Sequence, residues 1–141
     1  MQEDSADFLI AAKVNEYLGY SVVFEDDGRV AYAYLLDPRG DIVADVWLYN
    51  RSETPILPEW ENRQEMPFAN PIGFVRKDVV YEVAETITDI EVQWEALENG
   101  VPKANIYIRG KLFAVLMPGA KPGWSILAAE DGPLAKVMEN K

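Results

Sequence analysis

From Tyr20 onward the hydrophobic residues recur at every second position, and short polar turns cut the repeats. This constrains the fold more than any other feature. A period of two sends alternate side chains to opposite faces of a strand, whereas a helix needs a period near 3.6. Residues 20–25 read as a strand, and Asp26-Asp27-Gly28 as the hairpin turn that follows it. Residues 29–36 form the return strand, with Val30, Tyr32, Tyr34 and Leu36 on one face and Ala31, Ala33 and Leu35 on the other. Asp37-Pro38-Arg39-Gly40 is a turn by its chemistry: Asp accepts a backbone bond, Pro sets φ and Gly closes. Residues 41–50 form a third strand, with Ile42, Ala44, Val46 and Leu48 opposite Val43, Asp45, Trp47 and Tyr49.

The alternation resumes later in the chain. Residues 74–86 have strand character, and residues 89–97 alternate cleanly, with Ile90, Val92, Trp94 and Ala96 facing inward. Glu98-Asn99-Gly100 turns the chain into strands at 101–109 and 111–117, separated by Gly110 as a turn or bulge. A last strand covers 124–129. The two ends read as helices. Residues 5–18 have Ser5 as a cap, Asp7 in the first turn, Phe8, Leu9 and Ala12 on one face, and Gly19 as the stop. Residues 133–139 begin with Pro133, a favoured first helical position. No helical stretch lies between strands to make a crossover, so the sheet is expected to be antiparallel. The expected fold is α+β in one domain, 1–141. It is predominantly an antiparallel β meander of about seven or eight strands, curled as a sheet or half-barrel, with short helices at the N- and C-termini.

Composition narrows the function. The chain is 49% hydrophobic and 26% charged, the balance of a globular protein rather than a disordered one. It has no Cys and no His. Disulfides, thiolate nucleophiles, zinc fingers and Ser-His-Asp triads are therefore excluded, and any metal site would be all-oxygen. No phosphate-binding glycine loop occurs, since Gly110-Lys111 lacks the rest of that motif, and no cofactor is expected. Thirteen Lys+Arg against 24 Asp+Glu give a net charge of −11, which disfavours nucleic acid as a partner. The acidic start, Met1 to Asp7, is unlike a signal peptide, and no apolar run approaches the ~18–20 residues of a membrane span. A cytoplasmic protein with no membrane partner is the expectation.

The charge is concentrated in the first 70 residues, which carry 14 Asp+Glu and 5 Lys+Arg. Such a half either steers a basic partner or only keeps the chain soluble. Glu25, Asp26 and Asp27 cluster at a hairpin tip, although Asp-Gly is also what a tight turn requires. The spacing of a calcium-binding helix–loop–helix fails there, because the position for its last Glu falls on Asp37. Asp45 stands mid-strand among apolar residues; if that face is buried it needs a donor, with Arg29 or Arg51 as candidates. Residues 51–73 hold Pro55, Pro58, Pro67 and Pro71, and a connection this long is often functional. Within it Glu59-Trp60-Glu61, with Arg63 nearby, sets an aromatic anchor among charges.

The profile is small, acidic, Cys-free and sheet-rich. It is similar in composition to that of many immunity proteins that neutralise bacterial toxins, and to that of many uncharacterised bacterial domains. This likeness implies no residue roles. The leading expectation is a non-enzymatic acidic binding protein that engages a basic protein partner, an immunity-type inhibitor of a toxin being one form. Its contact residues would be Glu25, Asp26, Asp27, Glu59, Trp60, Glu61 and Arg63. The alternatives are a carrier holding a small apolar ligand among Tyr32, Tyr34, Trp94 and Tyr107, and a carboxylate-based enzyme. Self-association as a homodimer through an exposed strand stays open.

Overall fold

The structure is a computed structural model that describes residues 9–15, 18–50, 70, 75–76, 82–97, 100–129 and 131–138. Four strands form the first sheet: β1 (Leu9–Val14), β2 (Ser21–Asp26), β3 (Val30–Leu36) and β4 (Ile42–Asn50). They pair antiparallel in chain order. A 3₁₀ turn, Ile87–Asp89, leads into the second sheet. That sheet contains β5 (Ile90–Ala96), β6 (Pro102–Ile108), β7 (Lys111–Leu116), β8 (Trp124–Ser125) and β9 (Lys136–Val137), also in chain order. Its pairs are antiparallel except for the parallel β8–β9. The two sheets remain open and separate, so the meander does not close into a barrel.

The strands follow the period-two pattern closely, but the expected terminal helices are overturned. Residues 9–14, read as part of a helix, form β1 along the edge of β2, with Leu9 opposite Asp26 and Val14 opposite Ser21. Ile10 and Val14 are β-branched and favour extended backbone, and pairing with an open strand edge outweighs a weak helical spacing. At the other end, residues 133–138 are not helical. Lys136 donates its N–H to the Gly123 carbonyl at 2.8 Å, and Val137 donates to Asp131 Oδ1 at 2.8 Å. These donors would have closed helical turns and are used across the chain instead. Among the described residues the 3₁₀ turn is the sole helical element, so the described part of the chain is nearly all β and the expected α+β fold with terminal helices is not supported. The strand expected over 74–86 survives in part: Val75 bridges Ala128, residues 82–84 join no ladder, and residues 77–81 lie outside the described residues.

A β-bulge decides which side chains enter the core. Ala31 pairs with Tyr49 but Tyr32 pairs with Trp47, so Leu48 is an extra residue on β4. The alternation is therefore reset. Tyr49 joins Ala44 and Val46 on the core face, while Trp47 and Asp45 stay on the far face. The core face also carries Val22, Phe24, Ala33 and Leu35, all at 0–1% exposure. From the second sheet it receives Ile106, Phe113 and Leu116, and from the turn after β8 Leu127, and one continuous cluster joins both sheets. Tyr49 and Phe113 meet edge to face across the two sheets, ring centroids 6.2 Å apart. Each large apolar side chain buried in this way contributes about 1.5–3 kcal/mol.

The outer edge of β4 is closed by a later part of the chain. Gly119 N–H bonds the Val43 carbonyl (2.8 Å), Asp45 N–H bonds the Ala120 carbonyl (3.1 Å), Gly123 N–H bonds the Asp45 carbonyl (2.7 Å) and Trp47 N–H bonds the Leu134 carbonyl (2.9 Å). Residues 119–123 and Leu134 thus form a seam along this edge and satisfy the backbone groups an edge strand leaves open. Among the described residues no helix is long and apolar enough to cross a membrane.

Candidate functional site

The far face of the first sheet gathers charged and aromatic side chains, of which Trp47 is fully buried, Tyr32 only 8% exposed and Tyr34 half-buried. Cross-strand register aligns Glu25, Tyr32 and Trp47 in one row and Val23, Tyr34 and Asp45 in the next. Tyr32 and Tyr34 project from the same face of β3, and their rings lie nearly parallel (9°) with centroids 6.1 Å apart. Trp47 is fully buried, its Nε1 donating to Asn50 Oδ1 at 2.8 Å. Tyr34, Glu25, Asp27 and Asp45 are half-buried. The sheet holds these groups in place because each sits on a paired strand or at its tight turn.

The electrostatics of this face are negative. Burial pushes the Tyr34 hydroxyl up to about 12, and the charges of Glu25, Asp45 and Asp27 push the same way. Asp45 is raised above the usual carboxylate range by its own burial, with Lys121 pulling in the opposite direction. Lys121 is thus a cation acting on Asp45; of the two arginines expected from the sequence, Arg51 lies outside the described residues.

The expected contact residues divide. Glu25 and Asp27 stand at this face. Asp26 does not: it is 1% exposed and points into the core. Its Oδ2 accepts the Tyr49 hydroxyl at 2.7 Å and its Oδ1 accepts the Gly28 N–H at 2.9 Å. The Tyr49 hydroxyl in turn accepts the Ala84 N–H at 3.3 Å. Asp26 therefore ties the β2–β3 hairpin to β4 and is not available to a partner. Glu59, Trp60, Glu61 and Arg63 lie outside the described residues. The Asn50 side chain meets the backbone of Asn70 reciprocally: Nδ2 donates to the Asn70 carbonyl at 2.7 Å, and Oδ1 accepts the Asn70 N–H at 3.0 Å. Asn50 and Asn70 are thereby held together on either side of residues 51–69.

The four aromatic residues expected around an interior ligand do not converge. Tyr32 and Tyr34 occupy the far face of the first sheet, Tyr107 the far face of the second, and Trp94 packs against the shared core. Among the described residues no group of three or more acids is placed to hold a metal ion. The sequence offered no signal for the Tyr32–Tyr34 stack beyond two tyrosines at i, i+2, and none for Lys121.

The described residues define a two-sheet, mainly antiparallel β protein with an acidic face on which Tyr34 stands half-buried. No protein-family model, curated protein or solved structure matches the chain.

Proposed function

We propose that this chain is a non-enzymatic binding protein whose acidic, aromatic face receives lysine or arginine side chains of a basic protein partner, an immunity-type inhibitor being its simplest form. The observation that carries this reading is the stacked Tyr32–Tyr34 pair set among Glu25, Asp27 and Asp45. Aromatic faces and carboxylates both attract cations, and a half-buried site strengthens that attraction relative to open water. The net charge of −11 adds long-range steering that raises the association rate at low salt. Glu59, Trp60, Glu61 and Arg63 belong to the same proposal as a second contact, contributed by the connection that follows β4.

The test is capture from native lysate at low and high salt, with equal charge removed at two places. One variant carries Glu25→Gln and Asp27→Asn; the other carries Glu85→Gln and Glu91→Gln, at and beside the second sheet. A specific basic protein retained by the wild type and by the second variant, but released by the first and by salt, is the expected result. Equal loss from both variants would mean that overall charge, not this face, does the binding, and would overturn the assignment.

A further inference from the structure

The far face of the second sheet carries a different kind of surface. A groove of about 850 Å³ runs beside β8 and β9, and a smaller one of about 390 Å³ extends it across β6 toward β5. Lys103, Val115 and Met138 line both. Val115 and Trp124 are cross-strand partners and form an apolar, aromatic floor, and Tyr107 lies at the other end. From β9 to β5 there are four strand spacings, roughly 19 Å of groove. Lys136 opens the groove, its Nζ 5.1 Å from the centroid of the Trp124 ring. Two carboxylates also border the site, and both are engaged by the protein. Asp131 accepts the Val137 N–H at 2.8 Å. Glu95 accepts from Asn105 Nδ2 at 2.5 Å and lies 4.0 Å from Lys103. Among the described residues Lys136 has no ion-pair partner; it rests on an aromatic ring, and an ammonium so placed still attracts an anion.

We infer that this groove binds an amphipathic anion, a molecule with an elongated apolar body and a single carboxylate head. The head is set at Lys136 beside Trp124, and the body lies along Val115 and Met138 toward Tyr107. Methionine and aromatic side chains suit a body of variable shape, because a thioether is flexible and polarisable. The inference concerns the sheet opposite the acidic face and stands independently of the basic-partner reading.

Charge makes the inference sharply testable. A chain with net charge −11 should, by its overall field, prefer a cationic amphiphile to an anionic one. Only a local site reverses that order. The experiment titrates the full chain with decanoate, 1-decanol and decyltrimethylammonium, each below its aggregation concentration, and reads Trp fluorescence and heat. Decanoate is expected to bind saturably at one per chain and about tenfold more tightly than the other two, as one charged contact implies. Lys136→Gln, checked for an unchanged melting temperature, is expected to abolish that preference while leaving 1-decanol unaffected; Lys136→Arg is expected to retain it. Binding of decyltrimethylammonium at least as tight as that of decanoate, no saturable binding of any of the three, or an unchanged decanoate affinity in Lys136→Gln would each overturn the inference.

Discussion

The hydroxyl of Tyr49 sits on a fully buried side chain, donating to Asp26 Oδ2 and accepting from the Ala84 N–H. A buried polar group that loses a partner costs about 1–3 kcal/mol, so Tyr49→Phe is expected to lower stability by that amount in urea denaturation; an unchanged midpoint would show that other donors cover the Asp26 carboxylate. Asp45 gives a prediction of opposite sign. Its folded-state value is raised above that of an ordinary carboxylate, chiefly by burial. A carboxyl raised on folding favours the folded state only while protonated, and that contribution is lost as pH rises through the folded value. Asp45→Asn is therefore expected to stabilise the fold at pH 7 by at most about 1 kcal/mol given its partial exposure, read as a higher melting temperature, with the gain vanishing near pH 3. A gain that persists at low pH would mean that packing, not charge, is responsible. Both residues show how far a sequence can be read at this scale. Asp45 stood out as an acid among apolar neighbours, but its cation, Lys121, comes from a distant loop that no local pattern connects to it. Asp26 looked like turn chemistry and is turn chemistry, through its bond to the Gly28 N–H. Its burial could not be seen, because the same residue type serves an exposed turn equally well.

At the scale of elements, the strands with strict alternation were legible from the sequence and the two ends were not. β5 reads out from Ile90, Val92 and Trp94 because polar residues separate them without interruption. β1 failed because Phe8, Leu9 and Ala12 fit one helical face, while Ile10, Ala12 and Val14 fit a strand face equally well, and the open edge of β2 settles the contest. The bulge at Leu48 was equally hidden, since an extra residue leaves no mark on composition yet moves Tyr49 to the other face. The β6–β7 turn was half legible: Gly110 marked it, but Arg109 shares the left-handed conformation, with φ of 52° beside 83° for the glycine, as a two-residue hairpin turn demands. Gly123 carries the element-scale prediction. A Cβ there would lie 2.6 Å from the Val115 carbonyl oxygen and 2.8 Å from Leu116 Cδ2. Its N–H and carbonyl are both used, by Asp45 and by Lys136. Gly123→Ala is expected to cost about 1–3 kcal/mol, read as a lower denaturant midpoint, because the obstructing atom is backbone and cannot swing away. A variant as stable as the wild type would mean that the seam shifts freely.

For the molecule as a whole, the two sheets differ in the charge of the sequence that supplies them. The acidic first half of the sequence supplies the tyrosine-bearing face, and the lysines that line the groove, Lys103 and Lys136, come from the second half. That asymmetry could be read directly from the sequence. The seam could not, because it consists of loop backbone, and backbone hydrogen bonds leave no signature in side-chain patterns. The seam also sets an order in time. Trp47 and Leu134 are bonded although about 90 residues separate them, and contacts of such range form late in folding. During synthesis the first sheet emerges with the edge of β4 bare, and it stays so until residues 119–134 have been made. For that interval the growing chain presents a ready template for pairing with its neighbours on the same message. The yield of native protein should therefore depend on how fast the ribosome travels from codon 50 to codon 134.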